Sequence, residues 1–429
     1  MAVGLSLTFF SSFGQTFFVS LFVPYLLTAH SLGNAEFGLL YAVATLSSAL
    51  VLPWAGAWMD RTSLARFSMV IAAVMAGSGL LLAGGNHLLA LFVGLFGLRL
   101  AGPGLAALTA LTEMARRHAS GSRGRALGIS SLGFSIGEAV LPLLGTAAIA
   151  FAGWRGTWVG VSALSVFLFA PLFLALISRA NAGEPELEER PDRGVAVPSG
   201  RAEPRPVPSG AAVWDPDLVS LSEQGNEAVA DDRDWTRREM LRDPRFWFAL
   251  PAALLPPFWA TGIFLYQTGI GASRGWSAAV MASAFTAFAV TRVVFSLAGG
   301  ETLDRFGART VFSLSLLPLG IAMGLLMALD FVWVSYAFMA CIGVTTGVSG
   351  NARVALWAEM YGLRHLGSIK SLMAALVAVS TAGSPVLVGA VIDSGAGLDA
   401  LLWGGVLSVA VASALTLGIH VTERAEGHP

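Results

Sequence analysis

The chain contains 429 residues, of which 55% are hydrophobic, 12% are charged and 49 are glycine. Soluble globular domains carry about 25% charged residues, so this chain has too little polar surface to cover its apolar mass in water. The formal net charge of −1 argues against a nucleic-acid-binding protein that holds phosphates through bulk positive charge. A single cysteine, Cys341, excludes an internal disulfide bond and a thiolate metal cluster.

Twelve apolar runs are long enough to cross a bilayer. A spanning helix needs about 20 apolar residues, and the bilayer core does not tolerate unpaired backbone, so these runs are predicted to be helices. The first run lacks the basic start of a secretory signal and is predicted to be an uncleaved span. The first six spans are predicted at 4–28, 37–58, 66–85, 88–113, 126–151 and 156–178. The second six are predicted at 245–269, 277–300, 310–329, 332–358, 368–391 and 398–420.

Basic residues are concentrated in alternate loops. If the N-terminus is cytoplasmic, the outer loops contain only Arg155 and Arg274. The inner loops then contain Arg61, Arg66, Arg116, Arg117, Arg123, Arg125, Arg305, Arg309, Arg364 and Lys370. By the positive-inside rule, both termini are predicted to be cytoplasmic. A single lysine among 26 basic residues suggests a GC-rich bacterial genome, and by that association we expect an inner-membrane protein.

The segment 179–244 differs in composition from the rest of the chain. Proline, glycine and charged residues dominate it, so it is predicted to be a mostly disordered cytoplasmic linker between an N-terminal bundle (1–178) and a C-terminal bundle (245–429). Its last part, Asp234 to Arg245, is predicted to be a helix on the membrane surface. A plain tether is favoured over a regulatory or partner-binding role.

Two segments of the first half recur in the second. Gly56 to Arg61 (GAWMDR) returns as Gly300 to Arg305 (GETLDR), 244 residues later. Gly97 to Met114 aligns without gaps on Gly343 to Met360, 246 residues later. We therefore expect an all-α integral membrane protein with twelve transmembrane helices in two pseudo-symmetric six-helix bundles. Transporters built from such repeats place their site at the interface of the halves, near the midplane.

The repeated loop segment resembles the motif G-x-x-x-D-R-x-G-R of the major facilitator superfamily, and Arg99, Gly102 and Gly104 resemble its helix 4 motif. The resemblance implies a transporter whose loop motifs latch the inner face shut while the outer face is open. The expected gating residues are Gly56, Asp60 and Arg61 in the first half and Gly300, Asp304 and Arg305 in the second. Arg123 to Gly137 and Glu359 to Gly367 look like the branch that contains monocarboxylate transporters and oxalate/formate exchangers.

Three ionisable side chains are predicted near the bilayer midplane, where a charge is costly unless it faces a wet cavity or a partner. Arg292 is predicted to bind a substrate carboxylate, because its planar fork matches that group; a structural arginine is the alternative. Glu138 and Arg99 could form a structural ion pair, or Arg99 could tune Glu138 as the proton-coupling site. Arg353 is predicted to be mainly structural.

Neutral polar residues in helices 1 and 7 are further candidates for substrate contact. Gln15, Tyr266 and Gln267 could donate or accept hydrogen bonds, since helices 1 and 7 line the cavity in the resembled fold. Helix packing is the more common role for each of them. Arg99, Arg292 and these three residues make up the predicted substrate site.

No nucleotide-binding loop, metal-protease motif or nucleophile elbow occurs in the sequence. We therefore expect no enzyme activity, no cofactor and no metal. The leading hypothesis is a secondary active transporter of a small organic anion, with a monocarboxylate as the favoured substrate, coupled to protons through Glu138 if protons are used. It would contact membrane lipid and a small carboxylate, bind no nucleic acid and act as a monomer. The alternatives are a proton-coupled exporter of neutral or cationic compounds and, more distantly, a non-transporting membrane sensor.

Overall fold

The computed structural model describes residues 1–118, 120–182, 235–362 and 364–425. Secondary structure in these ranges is helical, with no strand among the described residues. Of the predicted linker, residues 183–234 lie outside the described ranges, so the expectation of disorder stays a prediction there.

The first half contains helices α1 to α6. Helix α1 is bent by 42° between Ala2–Gly14 and Thr16–His30, and it is followed by α2 (Asn34–Asp60), α3 (Leu64–Gly84) and α4 (Leu88–Arg117). The next apolar stretch, Gly124–Arg179, has 56 residues, about 84 Å of helix against a bilayer core of about 30 Å. Gly153, with φ 70° and ψ 167°, breaks it. It therefore contains two spans, α5 (120–152) and α6 (154–182).

The second half repeats this arrangement. Its helices are α7 (Pro244–Ser273), α8 (Ala278–Phe306), α9 (Ala308–Ala328), α10 (Val332–Tyr361), α11 (Leu366–Asp393) and α12 (Gly397–Ala425). Over the described residues, the twelve predicted spans in two bundles are confirmed. We call the face with the α2–α3 loop the motif face, after the repeated loop motif, and the opposite face the far face.

Small residues let helices of the first half approach closely around the bend of α1. A Cβ at Gly14 would lie 2.2 Å from the Leu98 carbonyl oxygen of α4, and one at Gly137 of α5 would lie 2.2 Å from Ser12 Oγ. Neither clash could be relieved without moving the helices apart. Residues 12–15 of α1 therefore lie directly beside α4 and α5.

The end of the linker is docked on the ends of α7 and α10. The Trp235 N–H donates to the Tyr361 carbonyl at 3.2 Å, and the two rings contact each other edge to face at 5.7 Å. Asp243 is buried and accepts hydrogen bonds from Arg245 and from the Tyr361 hydroxyl. The described part of the predicted surface helix is thus only one turn, Arg237–Met240, and the segment is held by aromatic and ionic contacts with protein.

Candidate functional site

A cavity of about 210 Å³ lies at the interface of the two halves. Helices α1, α2, α4 and α5 of the first half and α7, α8, α10 and α11 of the second contribute to its walls. Four of its lining residues carry a formal charge: Arg99, Glu138, Arg292 and Arg353. Counting each of the three arginines as +1 and the glutamate as −1, the formal charge of the lining is +2. The location agrees with the interface site that the sequence repeat predicts.

An ion pair joins the halves across this cavity. Arg292 Nη1 of α8 lies 2.7 Å from Glu138 Oε1 of α5, and the side chains are 14% and 8% exposed. The Phe288 ring lies against the guanidinium, with 5.8 Å between Arg292 Cζ and the ring centroid. Of the two alternatives for Glu138 and Arg99, the structural ion pair between them is therefore wrong in this conformation, because Glu138 pairs with Arg292. The reason is that α5 lies beside α8, where Thr286 Oγ1 donates to the Ala139 carbonyl at 3.0 Å.

Arg99 is held at the bend of α1. Gln15 has an extended backbone (φ −76°, ψ 154°), and the amides of Phe18 and Val19 both donate to the Gln15 carbonyl. The carbonyl of Gly14 thus loses its helical partner and accepts a hydrogen bond from Arg99 Nη1 at 3.3 Å.

Tyr41 supports the guanidinium of Arg99. Its ring centroid lies 5.4 Å from Arg99 Cζ, within the range of a cation–π contact. Its hydroxyl lies 2.9 Å from Thr16 Oγ1, just after the bend of α1. One tyrosine thus fixes both the arginine and the helix segment beside it.

Several buried polar atoms of the first half have no protein partner where they line the cavity. They are Gln15 Nε2, Thr45 Oγ1, Arg99 Nε and Glu138 Oε2. Buried polar groups in folded proteins are nearly always hydrogen-bonded to protein or water. This concentration of unused donors and acceptors is what a polar ligand needs from a binding site.

Arg353 contributes the third guanidinium of the lining and is 4% exposed. Its Nη1 donates to the Ala253 carbonyl of α7 at 3.2 Å. In a regular helix that carbonyl would accept from residue 257, but Pro257 has no N–H to donate. The contact agrees with the structural role predicted for Arg353, although the side chain also borders the cavity.

Tyr266 and Gln267 are not among the residues that line the cavity. The Tyr266 hydroxyl lies 2.7 Å from the Asn34 carbonyl oxygen of α2 and 3.0 Å from that of Pro385 in α11. Gln267 Nε2 donates to Ser20 Oγ of α1 at 3.2 Å. Both residues connect the halves on the far-face side of the cavity, whereas Gln15 lies in its wall.

The loop-motif residues lie at the motif face. Asp60 Oδ1 is 2.6 Å from Arg116 Nη2 of the same half, and both side chains are more than half exposed. Arg305 Nη2 lies 2.5 Å from Glu301 Oε1, one turn earlier in α8. Arg61 and Asp304 are exposed at the ends of α2 and α8. A Cβ at Gly300 would meet open space, and one at Gly56 would lie 4.0 Å from Leu108 Cδ2. In this conformation, the contact of Asp60 stays within its own half.

The sequence profile of the Major Facilitator Superfamily matches residues 5–269 and again 257–428. The chain belongs to the major facilitator superfamily. The protein is therefore a transporter and not an enzyme, and superfamily members bind small-molecule substrates. A comparison with curated protein sequences returned no significant match.

Solved structures of superfamily transporters have the same fold. A bacterial homologue of the human lysosomal transporter Spinster, in an inward-facing and occupied conformation, superposes with a TM-score of 0.69 at 14% identity, covering 98% of this chain and 96% of that one. The same transporter in an inward-facing and unoccupied conformation gives a TM-score of 0.64 at 15% identity, with 97% and 94% covered. At this identity the likeness establishes the fold alone.

Some lining residues of this superfamily member were not predicted. Tyr41, Thr16 and Thr45 line the cavity beside Arg99, but each is a common residue in a membrane helix and stands out only when the helices are assembled. The proline pair in α7 was an available signal, because a proline frees the carbonyl four residues earlier. That signal points to Ala253, and hence to a donor such as Arg353.

Proposed function

We propose that this protein is a secondary active transporter that moves a small organic anion, with a monocarboxylate as the leading candidate, across the bacterial inner membrane by alternating access. The observation that carries the proposal is the cavity itself. Three guanidiniums and one carboxylate line it at the interface of the halves, so an anion is the ligand whose charge the lining favours. An uncompensated cation inside the bilayer region is costly, and a bound anion would offset part of that cost.

Arg99 and Gln15 are proposed to receive the substrate carboxylate. Arg99 has an unused Nε donor and Gln15 an unused Nε2 donor, whereas Arg292 already donates to Glu138. Guanidinium and amide donors match carboxylate oxygens in charge and geometry. Arg292 becomes the second contact when its bond to Glu138 is exchanged for one to the substrate.

Glu138 is proposed as the proton-coupling residue. A proton on Glu138 removes its negative charge and weakens its hold on Arg292, which then becomes available to the substrate anion. Among the described lining residues Glu138 is the one acid, so it has no competitor within the cavity. Proton and substrate would thereby be bound together.

The motif face is proposed to be cytoplasmic, with both termini on that side and the protein acting as a monomer. The loops at the motif face contain most of the basic loop residues, and by the positive-inside rule such loops are cytoplasmic. The cavity extends from the midplane toward Leu52 and Arg353, both about two turns from motif-face helix ends. The conformation described here would then be inward-facing.

Thermal stabilisation by ligand tests the proposal. A ligand that binds the folded state raises its stability by an amount set by its concentration relative to the Kd. The detergent-purified protein is heated with carboxylates, neutral metabolites and cationic compounds, using wild type, Arg99→Ala, Arg292→Ala and the control Arg155→Ala, whose side chain bonds to Asn86 at the far face.

A shift confined to carboxylates, lost in Arg99→Ala and Arg292→Ala but kept in Arg155→Ala, is the expected result. Stabilisation by cationic or neutral compounds that survives both cavity substitutions would overturn the anion proposal. That second outcome would favour an exporter of such compounds.

A further inference from the structure

Asp393, the last residue of α11, contacts the first turn of α2 across the two halves. Its Oδ1 accepts from the Asn34 backbone N–H at 3.1 Å and from Asn34 Nδ2 at 2.7 Å. Its Oδ2 accepts from the Ala35 N–H at 2.8 Å. The first amides of a helix have no intrahelical acceptor, and a carboxylate is favoured at this positive end of the helix dipole. A residue 359 positions away thus caps α2.

The backbones of α2 and α11 touch beside this cap. A Cβ at Gly38 would lie 2.4 Å from the Pro385 carbonyl oxygen, and one at Gly389 would lie 2.5 Å from that of Asn34. The Tyr266 hydroxyl lies within hydrogen-bond distance of both carbonyls. The two halves are therefore closed on each other at the far face without room for a larger side chain.

Helices α2 and α11 are antiparallel, and each ends in an aspartate. Helix α2 ends at Asp60 on the motif face, where α11 begins at Leu366. Helix α11 ends at Asp393 on the far face, where α2 begins at Asn34. In this conformation Asp393 caps α2, while Asp60 contacts Arg116 of its own half. One helix pair thus carries an acidic end at each face, and only the far-face end bridges the halves here.

We propose that Asp393 is a far-face latch that holds the transporter closed on that side and must release α2 in each transport cycle. When the far face opens, α2 and α11 separate there, and the first-turn amides of α2 and the Asp393 carboxylate return to water. The latch is a feature of the helix ends and does not depend on which substrate the cavity binds. Its test is therefore made without substrate, so its failure is distinguishable from failure of the anion proposal.

The strength of such a contact suits a latch. Loss of a typical N-terminal helix cap shifts an equilibrium constant about fivefold away from the capped state. Asp393 is exposed, so water replaces the lost hydrogen bonds and salt weakens the interaction with the dipole. A contact of this size biases a two-state equilibrium without locking it.

Cysteine labelling measures the equilibrium on both sides. Cys341 is replaced first (Cys341→Ser), since it is the only cysteine of the chain. One probe is Ser20→Cys, at a buried residue between the cavity and the far face, and the other is Ser349→Cys, at a residue of the cavity wall. Maleimide labelling of the purified protein in detergent reaches the first only when the far face opens and the second through the motif face.

Asp393→Ala is compared with Asp393→Asn and with the control Asp399→Ala. Asp399 is also an exposed far-face carboxylate, but it pairs with Arg274 inside the second half. We expect Asp393→Ala to raise the ratio of Ser20→Cys labelling to Ser349→Cys labelling about fivefold, Asp393→Asn to raise it less, and Asp399→Ala to leave it unchanged.

Two outcomes would overturn the latch. One is an unchanged ratio in Asp393→Ala, including a parallel rise at both probes, which would mean general loosening. The other is an equal change of the ratio in Asp399→Ala. If Asp393→Ala does not accumulate as folded protein, Asp393→Asn decides, because asparagine keeps one acceptor oxygen but removes the charge and replaces the other oxygen by an NH2 donor.

Discussion

Arg353 of α10 donates to the Ala253 carbonyl of α7, a carbonyl that Pro257 leaves without a helical donor. The first half contains a counterpart, in which Arg99 of α4 donates to the Gly14 carbonyl at the bend of α1. Each half thus uses an arginine of its fourth helix to satisfy a carbonyl freed in its first helix. The two arginines are not aligned by the sequence repeat, since Arg99 aligns with Thr345. The two halves therefore satisfy a freed backbone carbonyl in the same way, with an arginine, but from different positions of the repeat.

The Glu138–Arg292 pair should stabilise the fold mainly by compensating two charges. Removing one partner leaves the other uncompensated in a largely buried place, which costs about 3 kcal/mol, whereas replacing both by uncharged groups leaves no buried charge without a partner and costs less. We expect Arg292→Met to lower the melting temperature in detergent more than Glu138→Gln/Arg292→Met does.

The matched control for that pair is Asp60 with Arg116, at 2.6 Å and with both side chains more than half exposed. Exposed pairs contribute about 0–1 kcal/mol, so Arg116→Met should change the melting temperature little. Equal losses in Arg292→Met and Arg116→Met would contradict a special role for the buried pair.

Glu138→Gln should separate substrate exchange from proton-driven uptake. The amide cannot carry the coupling charge, but it keeps nearly the same shape and frees Arg292 for the substrate. In liposomes loaded with the carboxylate found by thermal stabilisation, we expect exchange to persist while uptake driven by a pH gradient falls at least tenfold. Gradient-driven uptake at the wild-type rate would show that coupling does not pass through Glu138. Loss of exchange as well would mean that the carboxylate serves binding or structure.

The fold could be predicted from the sequence to a far greater extent than the site. Apolar runs of spanning length and the repeated Gly56 and Gly300 segments were sufficient for twelve helices in two bundles. The partner of Glu138 could not be predicted in this way, because it depends on which helices are neighbours. Arg99 is on α4, the helix that precedes α5 in the chain. In the structure α5 packs against α1, where Gly137 lies beside Ser12, and against α8, which carries Arg292.

The roles of Tyr266 and Gln267 were equally beyond the sequence. Both are in α7, which does line the cavity with Pro256, Pro257 and Thr261. Whether a given residue of α7 faces the cavity or the neighbouring helices depends on the rotation of α7 and on how far toward the far face the residue lies. A polar residue in a cavity-lining helix is thus insufficient evidence for substrate contact.

Tyr41 should position Arg99 through two separable contacts. Tyr41→Phe removes the hydrogen bond to Thr16 but keeps the ring beneath the guanidinium, so we expect the KM for substrate to rise about fivefold, the value of one ordinary hydrogen bond. Tyr41→Ala removes both contacts and should raise KM further. The control is Tyr25→Phe, at an exposed tyrosine of α1. If Tyr41→Phe and Tyr25→Phe behave alike in uptake assays, the hydroxyl does not support the site.

Pro257→Ala should release Arg353 from α7. Alanine restores the N–H that the Ala253 carbonyl accepts in a regular helix, so that carbonyl no longer needs the arginine. Helix propensity favours alanine over proline by about 3 kcal/mol, which offsets the lost Arg353 hydrogen bond, and we expect the melting temperature to stay equal or rise while the transport rate falls severalfold. Pro251→Ala is the control, because Pro251 is in the same helix but lines an apolar groove outside the cavity. If both variants slow transport equally, the flexibility of α7 matters and the position of Arg353 does not; if neither does, the proline-freed carbonyl has no part in transport.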